Sequence, residues 1–204
     1  TAWILTASAL VLMMTIPGLG LFYGGLVRAR NVLSVIMHSF VILCVVSLLW
    51  AMFGYSLVFG AGTPWLGGFG NAMLANLADL RAGTTIPEST YALFQMTFAA
   101  ITVALVLGSV VERMKFAAVM IFAAVWLTIV YFPIAHMVWA VGGLFFEMGA
   151  LDFAGGTVVH INAGVSALVA ALILGKRIGY GKDIMAPHSL TMTMIGTGLL
   201  WVGW

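Results

Sequence analysis

His160 is the only ionisable side chain in the apolar run 157–175. An imidazole in such a run either packs against a neighbouring helix through a hydrogen bond or faces a conduit; it is tolerable buried neutral and not buried charged. Upstream, Asp152 precedes Phe153-Ala154-Gly155-Gly156. A carboxylate there can accept from the free N–H groups of a helix start and complement its dipole, which would fix where His160 points. Phe94 and Phe98 stand at i and i+4 and share a helical face, with Gln95 beside them. Trp139 closes another apolar run. Aromatic rings at a mouth attract a cation to their π faces, and the same residues also suit an ordinary interfacial belt. Taken singly, each of these residues keeps both its structural and its functional reading.

Other chemistry finds little support. His38, His136 and His188 have no ligand spacing to one another and read as structural. Glu112 stands beside Arg113, a pattern that reads as a local ion pair at a helix end, and Cys44 reads as a small buried hydrophobe. No phosphate-binding loop, Cys/His metal cluster or nucleophile–base pair occurs, so the reading is not an enzyme and requires no cofactor or metal. The net charge of +2 gives no reason to invoke a nucleic-acid partner.

The elements that must position these residues are membrane helices. Of 204 residues, 63% are hydrophobic and 7% charged, against about 25% charged in a soluble domain. Lipid is the only solvent that suits such a chain. Six apolar segments, 3–27, 31–60, 91–111, 116–139, 157–175 and 190–204, predict one transmembrane domain over residues 1–204. The first is too long and glycine-rich for a signal-peptide core. The last is short for a span, so the intact protein is expected to be longer. Pro17-Gly18 should bend the first helix, and Gly20, Gly24 and Gly25 with Ala163, Ala167 and Ala171 should let helices approach closely. Loop 61–90 is rich in Gly and Pro, with Asn71–Leu80 readable as a short surface helix.

Seven of the eight Lys and Arg residues fall in alternate loops, at Arg28, Arg30, Arg113, Lys115, Lys176, Arg177 and Lys182, while Arg81 shares the opposite loops with Asp79, Glu88, Glu147 and Asp152. The positive-inside rule then puts the N-terminus outside and the basic loops in the cytoplasm; the chain is expected in the inner or plasma membrane.

Longer strings are more specific. Thr15-Ile16-Pro17-Gly18 with Leu21-Phe22-Tyr23-Gly24-Gly25-Leu26-Val27-Arg28, then Ala135-His136-Met137-Val138-Trp139, and above all Asp152-Phe153-Ala154-Gly155-Gly156-Thr157-Val158-Val159-His160-Ile161-Asn162, resemble the ammonium transporter (Amt/Mep/Rh) family. The resemblance runs from end to end. It implies the first half of an all-α, polytopic, eleven-helix inverted-repeat fold, here helices one to five and part of six, assembled as a homotrimer with one pore per protomer. It implies that Phe98 and Trp139 are walls of an outer ammonium site, that Phe94, Gln95 and Phe98 form the gate region, and that His160 is the first of two paired pore histidines. By the same resemblance Asp152 orders the start of helix five and Tyr23 stands near an inner water path. The remaining pore residues would lie beyond Trp204. Ammonium or ammonia is the implied substrate and a PII-type signal protein the implied cytoplasmic partner. An ammonium sensor of the same fold, or a channel for another small neutral solute, are the competing readings.

Overall fold

The computed structural model describes residues 1–204, and the chain is helical throughout, with no β-strand. Five helices are long and apolar enough to cross a membrane: α1 (Ala2–Leu26), α2 (Ala29–Phe59), α3 (Glu88–Val110), α4 (Phe116–Trp126 continued through Leu127–Tyr131 and Phe132–Trp139) and α5 (Gly156–Leu174). The shorter α6 spans Leu190–Gly203. Intrahelical bonding satisfies every backbone group along such a span, which lipid cannot do.

α3 is the central helix. Ala99, Ala100, Thr102, Val103, Ala104, Val106 and Leu107 are all buried, and α1, α2, α4 and α5 all pack on it. Thr97 and Thr102 satisfy their hydroxyls by donating back to the Phe94 and Phe98 carbonyls. α6 lies along α1. A side chain on Gly25 would collide with Thr193 and Ser189, and one on Gly196 would strike the backbone at Phe22 and Gly18. Both glycines therefore permit backbone-to-backbone approach.

α1, α2, α4 and α5 each contain a widened turn, at Met14–Leu19, Trp50–Gly54, Leu127–Tyr131 and Gly156–Ile161, where bonding runs i→i−5. The first holds Pro17. The extra residue in the turn accommodates a proline that has no N–H to donate, so the helix passes through Pro17 without a break.

The charged loops sort to two ends. At one end the chain turns through Glu112, whose φ of +62° is left-handed. Its carboxylate accepts from the Arg28 backbone N–H at 3.2 Å and side chain at 3.1 Å, from Asn31, and from Arg177 at 2.9 Å. The expected Glu112–Arg113 pair is thus absent: the left-handed turn directs Glu112 inward to two distant arginines, while Arg113 donates to the Ala171 carbonyl at 3.4 Å. One carboxylate ties together the α1–α2, α3–α4 and α5–α6 connections. At the opposite end, Leu144 N–H donates to Pro64 O at 2.9 Å, and the ring nitrogens of buried His136 lie 2.7 and 2.8 Å from the carbonyls of Val58 and Thr63.

Two further expectations are corrected. Asn71–Leu80 is not a helix. It holds a single tight turn, Ala72–Leu74, with Met73, Leu74 and Asn76 at positive φ. Asn71 and Asn76 side chains donate to the carbonyls of Ala75 and Gly70, and Ser56 holds Gly68 O and Asn71 N, so side-chain bonds displace helical ones. Cys44 is exposed on the outward flank of α2, because Ile42 and Val46 take the inward face.

Candidate functional site

The start of α5 is shaped by Gly155, whose φ of +77° turns the chain into the helix and whose missing Cβ leaves room for Val159. Asp152 then caps the helix: its Oδ2 accepts from Thr157 N–H at 3.2 Å and Val158 N–H at 2.9 Å. The Gly155 carbonyl receives both Val159 N–H at 2.9 Å and His160 N–H at 3.0 Å, which sets the widened turn that carries His160. The capping role assigned to Asp152 from its position in the sequence matches this geometry.

His160 opens onto a cavity of about 660 Å³. The same cavity is lined by Tyr23 from α1 and by Phe94 and Phe98 from α3. Apart from His160, Thr197 and Gly203, its wall is hydrophobic. Phe94 and Phe98 meet edge-on with centroids 4.9 Å apart, and Phe98 meets Trp139 edge-on at 6.2 Å. Such pairs hold rings in fixed orientation. Tyr23 donates to Leu105 O at 3.0 Å, and its ring lies over Gly108, where a side chain would displace it.

Four of the seven residues singled out, Phe94, Phe98, His160 and Tyr23, therefore share one cavity. Trp139 stands behind Phe98 without lining it, and Asp152 acts through the helix start. Gln95 turns away: it is buried and donates from Nε2 to Tyr91 Oη at 3.1 Å. Sequence reasoning gave no site role to Phe153, although it lies in the Asp152–Asn162 string, or to Thr197, which no local pattern marks. It also gave no role to Arg81, whose pairing is described below.

An oily, half-open cleft lined by edge-on phenylalanines and one imidazole suits a small solute that crosses without charge. Comparison with known proteins bears on which. A model of the Ammonium Transporter Family matches residues 2–204. A putative ammonium transporter of Methanothermobacter thermautotrophicus is 50% identical over 100% of this chain and 50% of its own length. The ammonium transporter of Bacillus subtilis is 47% identical, with the same two coverages. Among solved structures, Candida albicans Mep2 superimposes with a TM-score of 0.90 at 40% identity, over 100% of this chain and 46% of Mep2. A sensor Amt protein superimposes with a TM-score of 0.90 at 27% identity, over 100% of this chain and 52% of its own. The chain belongs to the ammonium transporter family, as a multi-pass helical membrane protein. It spans about half the length of the curated relatives it matches.

Proposed function

We propose that the whole protein carries ammonium across the membrane as ammonia, through the cavity that His160 reaches. The observation that carries this reading is the joint lining of one apolar chamber by Phe94, Phe98, Tyr23 and His160. In the intact protein this chain supplies the first half of an eleven-helix trimeric transporter whose N-terminus is outside, and the end bearing Arg28, Glu112 and Arg177 faces the cytoplasm, where a PII-type protein docks.

The physics sets the sequence of steps. Moving a bare ammonium-sized ion from water into a medium of low dielectric costs on the order of 20 kcal/mol in the idealised limit. Two aromatic faces return about 1–2 kcal/mol each, enough to recruit ammonium at Phe98 and Trp139 and far too little to carry it through. The substrate therefore gives up a proton, NH₄⁺ → NH₃ + H⁺, before it enters the chamber. Ammonia, a donor and acceptor, then exchanges hydrogen bonds with the ring of His160. Potassium, with no proton to lose, is excluded by the same apolar wall.

The test is uptake by full-length protein in proteoliposomes under gradients of ammonium or potassium. Uptake of ammonium without potassium supports the reading; equal passage of both, or of neither, removes it. The likeness to the sensor Amt protein keeps a second reading in view, in which ammonium is bound and signalled rather than moved. Binding without flux in the same vesicles would favour it.

A further inference from the structure

Arg81 is the only Lys or Arg in the loops on its side of the apolar segments. The chain delivers it on a narrow excursion, with Arg81 N–H donating to Ile86 O at 2.9 Å and Glu88 N–H to Asp79 O at 2.9 Å. Its guanidinium carbon lies 4.2 Å from the centre of the Tyr91 ring and 5.0 Å from that of Phe59, and those two rings are themselves 5.1 Å apart. Arg81 Nη1 donates to Glu88 Oε1 at 2.8 Å, and Tyr55 donates to the same oxygen. Only 17% of the Arg81 side chain and 18% of the Glu88 side chain is exposed. A cation thus sits in a cage of two aromatic rings closed by a carboxylate.

The cage stands on the helix that carries the aromatic site. Tyr91 lies one turn before Phe94 and Gln95 and two turns before Phe98 on α3. Its hydroxyl is the partner of buried Gln95, while Trp50 anchors the same turn by donating to Ala92 O at 3.0 Å. Arg81 itself lines no part of the cavity. From this we infer that Arg81 is a positioning residue for the outer ammonium site: held against the Phe59 and Tyr91 rings, it fixes the first two turns of α3 and so the orientation in which Phe94 and Phe98 meet the substrate. Removing it leaves the Glu88 carboxylate without its cation and frees Tyr91 to rotate, loosening Gln95 and the phenylalanines beside it.

The inference rests on the transport reading above, and the experiment separates the two. Full-length wild type, Arg81→Ala and Arg81→Lys are reconstituted and the concentration dependence of methylammonium uptake is measured, with and without low, non-denaturing guanidinium. Arg81→Ala should raise KM about tenfold, as Phe94 and Phe98 lose the orientation in which they meet the substrate, while Vmax stays within about twofold. Arg81→Lys, which keeps charge but not the planar fork, should fall between. Guanidinium should lower the KM of Arg81→Ala and leave wild type unimproved. An unchanged KM in both variants overturns the inference, as does a parallel loss of Vmax and thermal stability that neither guanidinium nor lysine restores. If Arg81→Ala fails to reach the membrane, the KM of Arg81→Lys decides alone. Wild type that takes up no ammonium removes the transport reading, and this inference with it.

Discussion

Phe98 on α3 and Trp139 at the last turn of α4 meet edge to face with ring centroids 6.2 Å apart. In the proposed transport reading these two rings, one from each helix, recruit ammonium beside the cavity that Phe98 lines. Trp139→Leu keeps an apolar side chain, though a smaller one, and removes one π face. Its expected effect is a rise of about fivefold in KM for methylammonium, corresponding to about 1 kcal/mol, with Vmax largely kept. The concentration dependence of uptake by the reconstituted full-length protein checks this, and an unchanged KM would take Trp139 out of recruitment.

Gly108 is where the Tyr23 ring rests on α3, and a Cβ there would lie 2.7 Å from two of its ring carbons. Gly108→Leu should force the ring out and break its bond to Leu105 O, at a cost of about 1–3 kcal/mol. A lower melting temperature in detergent is the expected result. A melting temperature equal to wild type would mean the ring is not held as described.

Glu112 has a fully buried side chain paired with Arg28 and Arg177. Burial alone would push its carboxyl up, yet the bonds from Asn31, Arg28 and Arg177 win and hold it down at about 2. A carboxyl lowered in the folded state stabilises above its ordinary value of 4.5 and loses that contribution as pH falls from there through about 2. Glu112→Gln should cost about 3 kcal/mol at neutral pH, because it leaves two guanidiniums facing an amide. Melting curves across pH should show the wild-type advantage constant above about pH 5 and shrinking below it. An advantage that changed instead between pH 6 and 8 would contradict the assignment.

Orientation is open to chemical labelling. In a Cys44→Ser background, Lys176→Cys should react with a membrane-impermeant maleimide only after cells are opened, and Thr84→Cys should react in intact cells. The reverse pattern would invert the proposed topology.

The helical, membrane-embedded class of the fold was plain in composition, because charge depletion on this scale has no soluble solution. The meaning of Asp152 was also legible, since capping is local and depends on a few consecutive residues. What escaped was long-range or backbone-driven. Glu112 reads with its neighbour Arg113, but a left-handed φ of +62° sends it to arginines on two other connections. Asn71–Leu80 has residues a helix accepts, and the side chains of Asn71, Asn76 and Ser56 take its bonding away. Gln95 sits beside Phe94 in sequence, but adjacent residues on a helix point about 100° apart, and it turns to Tyr91 rather than to the chamber. Arg81 looked like an exception in the charge pattern until its cage of Phe59 and Tyr91 was seen in space.

The most direct measurement is made at His160. Reconstituted full-length His160→Asp is compared with wild type for ammonium uptake and for potassium current. A carboxylate in the apolar chamber attracts a cation about 4 Å away by roughly 4 kcal/mol at an effective dielectric constant of about 20. Wild type should therefore pass ammonium without potassium, and the variant should admit potassium with selectivity reduced at least about tenfold. A variant whose uptake and selectivity both equal those of wild type would contradict the claim that substrate passes His160.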